Sequence, residues 1–201
     1  MNQLIKPHGG KLCELILSQN QRNVLVKESI KYTNLTLNER QLCDIEMLLS
    51  GAFSPLEGFV NQNEYESIIH NMHLPNGLLW PIPITLDVSE KFSKLVEIGE
   101  KIVLRDHEGI ALAVLKISEK WKPNKENEAK LVYGTNNIAH PGVDYLYNYT
   151  NPIYLAGKIQ GLEYPRHYDY QYLRYTPNDL RKIFIEKSWK NIIAFQTRNP
   201  M

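Results

Sequence analysis

Apolar residues first recur at helical spacing between Thr36 and Gly51. Leu37, Leu42, Ile45, Leu48 and Leu49 form a stripe, with Gln41 on the same line. Thr36 and Glu39 stand at capping-box spacing, and Gly51 can end the helix in a left-handed conformation. Residues 52–59 place apolar rings among Pro and Gly, which predicts a loop packed on the core. A second short helix is predicted from Asn63 to His70.

From Leu79 to Lys120 the period shortens. Pro81 to Val88 reads as extended, and its two prolines put it at a sheet edge or entry. Lys101–Leu104 and Ile110–Ile117 are β-rich runs separated by Asp106-His107-Glu108-Gly109, a hairpin pattern. Asn151–Lys158 is a further short strand. Such turn-bounded strands predict a small barrel or sandwich with inserted helices. The charged run from Trp121 to Lys130 reads as a solvated loop or helix.

The pattern changes again between 160 and 176. Thr176 is an N-cap, Pro177 opens a helix and Asp179 stands three residues after the cap. That helix is predicted to run to about Trp189. Asn191–Phe195 then reads as a buried parallel strand, followed by the polar loop Gln196-Thr197-Arg198-Asn199-Pro200. Helix, buried strand and polar loop open an α/β nucleotide-binding domain, where ligands sit beyond the carboxyl ends of strands. Residues 176–201 supply one helix and one strand, whereas such domains run to about 100 residues or more, so the chain is expected to stop partway through one.

Composition narrows the function classes. Of 201 residues, 43% are hydrophobic and 22% charged, which fits a soluble globular chain needing no disulfide or metal staple. Formal charge is +1, against a protein that coats polyanions through bulk positive charge. The charge is uneven. Residues 1–157 hold 15 basic and 18 acidic side chains, and residues 158–201 hold 8 and 4, so the last segment reads as a separate unit that meets anions. Cys13 and Cys43 are too few for a disulfide framework and make no zinc motif. Met1–Lys11 lacks a signal-peptide core and no run of 18 apolar residues occurs, so an intracellular, cytoplasmic, non-membrane protein is expected and the sequons at Asn34 and Asn148 read as accidental.

Several chemistry-bearing residues read as structural. His70-x-x-His73 is treated as surface helix and turn rather than a metal pair. Tyr164, Tyr168, Tyr170, Tyr172 and Tyr175 could stack bases, but read as packing at an interdomain seam. Asp44 and Glu46 point to different helix faces and read as solvent or cap partners. Ser54 has no His and Asp partners that would make it a nucleophile.

Five stretches carry a family resemblance: Pro7–Gly10, Arg40–Glu46, Gly51–Phe59, Leu79–Asp87 and Phe195–Met201. On these the chain resembles the N-terminal part of the ATP sulfurylase (sulfate adenylyltransferase) family, most of all its fungal type. The resemblance implies a β-rich PUA-like barrel over 1–165. It also implies that 166–201 begin an α/β nucleotidyltransferase domain. The implied reaction joins sulfate to the adenylyl group of ATP, giving adenosine 5′-phosphosulfate and pyrophosphate, with Mg2+ arriving as Mg-ATP and no bound metal site. Thr197, Arg198 and Asn199 become the catalytic positions, and Gln196 through Asn199 the sulfate and ATP contacts.

The physics of that loop suits the reaction. Attack of one anion on another needs donors fixed beforehand. Arg198 offers a planar fork that fits tetrahedral oxyanions, and Gln196 and Asn199 offer amide donors. The family continues past this point with a His-x-x-His pair and a later Gly-Arg-Asp segment, so residues 1–201 alone are expected to be inactive. The resemblance also implies homo-oligomers and no nucleic-acid partner. The alternative reading is a non-catalytic PUA-like module that binds RNA or serves assembly.

Overall fold

A computed structural model describes residues 4–197. The chain forms helix α1 (Gln19–Ser29), strand β1 (Thr33–Thr36), α2 (Glu39–Ser50), β2 (Gly58–Phe59), α3 (Gln62–Asn71), β3 (Leu86–Val88) and α4 (Glu90–Ser93). There follow β4 (Lys101–Arg105), β5 (Ala111–Trp121), α5 (Lys125–Tyr133), α6 (Pro141–Asn148), β6 (Ile153–Gly161) and α7 (Pro177–Glu186).

The strands make one mixed sheet in the order β1-β4-β5-β6-β2. β1 lies parallel to β4, and the other pairings are antiparallel. β6 is the hub. One of its edges takes β5, and the other is shared by β3 against Ile153–Leu155 and β2 against Gly157–Lys158. Register shifts at Leu104/Arg105 and at Ile117/Glu119 bend the ladder, as bulges do. The backbones of β2, β6 and β5 approach so closely that a Cβ on Gly58 would sit 2.0 Å from the Gly157 carbonyl oxygen. One on Gly157 would sit 2.0 Å from that of Lys116.

Both faces of the sheet are covered. Ile102 and Leu104 of β4 join Leu112, Leu115 and Ile117 of β5 in a main core with Ile45, Leu48 and Leu49 of α2 and Tyr65 and Ile68 of α3. Val103 and Val114, directly paired across β4 and β5, face the other way and meet Leu25 of α1 and Leu162. Covering on two sides explains why β5 carries the continuous run Leu112-Ala113-Val114-Leu115 instead of an alternation.

The expected hairpin is β4–β5, the Asn151–Lys158 strand is β6, and Gly51 ends α2 with φ 80°. Other expectations need correction. Thr36 does not cap α2: it closes β1, and the cap is Asn38, in a reciprocal box with Gln41. The Leu37 N–H donates to the Arg105 carbonyl at 2.8 Å, so pairing with β4 keeps the chain extended past Thr36. Of the extended stretch 81–88, only Leu86–Val88 is strand. The charged run yields β5's end and α5, and its Glu128 is buried rather than solvated.

Asn191–Phe195, expected as a buried strand, is neither. Ile193 and Phe195 are 96% and 77% exposed, because no described strand offers the segment an edge. The preceding helix stops at Glu186, short of Trp189.

Candidate functional site

The segment expected to carry chemistry is delivered by α7. The Thr176 hydroxyl accepts from the Asp179 N–H and donates to the Asp179 carboxylate at 2.7 Å; Pro177 opens the first turn. That hydrogen bond from Thr176 holds the Asp179 carboxyl below its usual range. The helix buries no residue. It is tied to the N-terminal stretch by Asn178 Nδ2 donating to Glu14 Oε2 at 3.0 Å and by Arg181 Nη2 donating to the Ile5 carbonyl at 2.7 Å. Gln196 and Thr197 follow as exposed, non-regular backbone. Arg198 and Asn199, the other two expected contacts, lie outside the described residues.

A second polar constellation lies inside the β-sheet unit. The Asp87 carboxylate, with a side chain 0% exposed, accepts from Arg40 Nη2 at 2.7 Å, Gln41 Nε2 at 3.0 Å, and the Asn151 N–H and Nδ2 at 2.7 and 3.0 Å. Arg40 also donates to Asp44 at 2.5 Å and to the Thr85 carbonyl at 3.2 Å. Burial raises the Asp44 carboxyl to about 6 against the pull of Arg40. Burial acts to lower the Arg40 guanidinium, but Asp44 and Asp87 outweigh it and the net shift is upward.

Beside this cluster, Glu128 accepts from the hydroxyls of Tyr65 at 2.8 Å and Tyr154 at 3.1 Å. Burial pushes Glu128 up, and burial with the nearby carboxylate pushes both tyrosines well above their usual range. Both Asp87 oxygens and Glu128 Oε2 accept from fixed protein donors. The arrangement braces α2, α3, α5, β3 and β6 together.

This corrects the reading of Asp44 and Glu46 as solvent or cap partners. Asp44 pairs with Arg40, and Glu46 meets His167 Nε2 at 2.8 Å. The sequence held one signal for the first pair, the i,i+4 spacing of Arg40 and Asp44 on a helix. Nothing local announced Asp87 or Glu128. The tyrosines expected at a packed seam divide: Tyr164 packs against the main core, whereas Tyr168, Tyr170, Tyr172 and Tyr175 are exposed.

A groove of about 850 Å³ opens between the β2 loop, α3 and the outer part of β5, lined by Phe59, Asn61, Glu64, Leu74, Lys116 and Lys158 among others. Glu57 and Lys158 pair at its rim at 2.6 Å, and that hydrogen bond holds Glu57 low. The groove takes no lining residue from 176–197. His70 faces Glu66 at 3.5 Å, and His73 Nδ1 lies 2.5 Å from the Asn71 carbonyl. Among the described residues no three His, Cys, Asp or Glu side chains gather as a metal site, and no helix is long and apolar enough to cross a membrane.

Residues 5–164 match the PUA-like domain model and residues 171–201 match the ATP-sulfurylase model. Sulfate adenylyltransferase of Debaryomyces hansenii is 46% identical over 97% of this chain and 39% of its own length. That of Yarrowia lipolytica is 46% identical over 97% of this chain and 35% of its own. That of Saccharomyces cerevisiae is 43% identical over 97% and 39%. The chain thus spans well under half the length of these relatives. A solved hexameric APS kinase from Thiobacillus denitrificans matches with a TM-score of 0.79 and 34% identity, over 98% of this chain and 35% of that one.

Proposed function

Since the chain belongs to the PUA-like domain family and continues into residues that match ATP-sulfurylase, we propose that it is the N-terminal portion of a sulfate adenylyltransferase, divided near residue 165. One observation carries the reading. A single run of 46% identity to a sulfate adenylyltransferase covers 97% of the chain, β-sheet unit and α7 segment alike.

In this reading a sulfate oxygen attacks the α-phosphorus of ATP, the bond from that phosphorus to the bridging oxygen breaks, and pyrophosphate leaves. ATP enters as its magnesium complex. Gln196 and Arg198 hold sulfate, while Thr197, Arg198 and Asn199 steady the charge that gathers at the α-phosphate. Arg198 suits this because its fork donates two parallel hydrogen bonds to an oxyanion. The β-sheet unit serves as the platform on which α7 is seated, through Glu14 and the Ile5 carbonyl. The compartment is the cytoplasm and the assembled enzyme is a homo-oligomer.

The test is a chimera joining residues 1–201 to the remaining length of the Debaryomyces hansenii relative. It should release pyrophosphate in the presence of sulfate. Arg198→Ala in that chimera should lose activity by about 100-fold or more, and Arg198→Lys should recover little. A folded chimera without sulfate-dependent release would refute the reading.

A further inference from the structure

Strand register places three lysines in one row across the sheet. Lys101 of β4 is paired with Lys116 of β5, Lys116 with Lys158 of β6, and Lys158 with Gly58 of β2. Residues opposite one another in register share a face, and neighbouring strands lie about 4.8 Å apart. The row is on the face of Val103 and Val114, the pair that packs with Leu25 of α1. Lys116 and Lys158 are exposed.

Like charges directly opposite each other on a sheet repel. Each outer lysine has a carboxylate: Lys101 faces Glu28 at 3.8 Å, and Lys158 meets Glu57 at 2.6 Å. Lys116, between them, has no ion-pair or hydrogen-bond partner among the described residues. Two further acids nearby are engaged elsewhere. Glu64 accepts from the Asn61 N–H and Glu119 from the Gln62 N–H, both at 2.9 Å.

Lys116 and Lys158 also line the groove of about 850 Å³, a volume in the range of small-molecule sites. Past the lysines its walls turn apolar, with Pro55, Phe59, Leu74 and Pro75. Ser118 lines it too, the residue left over where the ladder shifts between Ile117 and Glu119. Its hydroxyl has no partner among the described residues.

A cationic end beside an apolar wall suits a ligand with an anionic head and an apolar body. A phosphate monoester carries close to two negative charges at about pH 7 and three acceptor oxygens. It can therefore offset two ammonium groups on adjacent strands, which a singly charged carboxylate cannot. We propose that the groove binds a phosphate monoester of an aromatic small molecule, its phosphate bridging Lys116 and Lys158 and its ring lying toward Phe59 and Leu74. No residue of 176–197 lines the groove, so the site does not depend on the reaction assigned to residues 196–199.

The probes are naphthyl phosphate, inorganic phosphate and naphthol, titrated into the isotope-labelled 201-residue chain and followed by amide NMR shifts and calorimetry. Naphthyl phosphate should shift the amides of Gly58, Asn63 and Ser118 and leave those of α7 in place. It should bind at least about tenfold more tightly than inorganic phosphate or naphthol, since each of these fills only half of the site. Lys116→Ala and Lys158→Ala should each weaken it by about tenfold. Glu57→Gln frees Lys158 from its partner and should tighten binding by about threefold. Glu163→Gln makes the same charge change at the separate pair with Arg166 and should leave binding unaltered. No binding of naphthyl phosphate, binding no tighter than that of inorganic phosphate, shifts centred outside the groove, or parent affinity in Lys116→Ala would each overturn the site.

Discussion

Arg40 Nη2 on α2 lies 2.7 Å from Asp87 Oδ1 on β3, a carboxylate wholly screened from water. The pair joins a helix to an edge strand, and Gln41 and Asn151 complete the carboxylate's hydrogen bonds. Asp87→Ala would leave four donor groups, from Arg40, Gln41 and Asn151, facing an empty site. It should destabilise the chain by about 3–5 kcal/mol, the cost of breaking a buried pair from one side. Removing both charges, as Asp87→Leu with Arg40→Met, should recover part of that loss. Urea unfolding followed by circular dichroism measures both, and an alanine variant within about 1 kcal/mol of the parent would remove the brace from this account.

Asp44 gives a pH prediction whose sign is fixed by the direction of its shift. Its carboxyl rises from 3.8 to about 6 on folding, so the folded state holds the proton more tightly than the unfolded one. The stability this brings is fully present below about pH 3.8 and is lost as pH rises through about 6. The loss attributable to Asp44 is on the order of 2–3 kcal/mol. Asp44→Asn should remove that dependence, so the variant gains on the parent between pH 4 and pH 8. Thermal melts of both across that range would show it. A constant difference between the two would mean that the Arg40 pairing, not burial, governs this carboxyl.

The close approach of β2, β6 and β5 leaves no space for a methyl group at Gly157, where it would fall 2.0 Å from a backbone oxygen. Gly157→Ala must push β5 and β6 apart and should cost at least about 3 kcal/mol. Gly109, which has open space around it, provides the control for general glycine replacement, although its positive φ still adds some strain. If the two alanine variants melt together, the tight packing at the hub strand is not a constraint on sequence.

Residues 1–201 by themselves should neither bind Mg-ATP tightly nor release pyrophosphate with sulfate. Phosphate binding needs several preorganised donors at once, and about 1 Å of misplacement costs roughly a hundredfold in rate. Gln196 is exposed and lies on backbone outside any helix or strand, where packing does not hold its amide in place. Titration calorimetry and a coupled pyrophosphate assay on this chain should both be silent. Stoichiometric binding with turnover would place the whole site within these residues.

The sequence was most legible where the signal is local. The hairpin turn at 106–109, the Thr176 box and Gly51 each act over a few residues, and each predicts its structure correctly. It failed where distant pairing decides. Thr36 and Glu39 look like a cap, yet pairing with β4 holds Thr36 in a strand and hands the cap to Asn38. Asn191–Phe195 has strand composition but no partner edge among the described residues. Glu128 sits in a charged run that reads as solvent, and only the hydroxyls of Tyr65 and Tyr154 draw it inside. Of the candidate site, Gln196 and Thr197 fall on the described chain, while the roles of all four residues rest on likeness to relatives.

The parallel pairing of β1 with β4 also dictates an order of assembly. β4 and β5 meet across one short turn, and β6 then adds along β5 across α5 and α6, a shorter closure than the one β1 needs. Thr33 must instead find Ile102, a search across the whole of α2, α3 and β3 for a four-residue strand. Such long-range closure is slow and unrewarded until its template exists. β1, though it precedes β4 in the chain, is thus fastened late, with α1 settling over Val103 and Val114 only after those two are side by side. Pulse-labelled exchange during refolding should protect β5 and β6 amides before those of β1, and the opposite order would contradict this route.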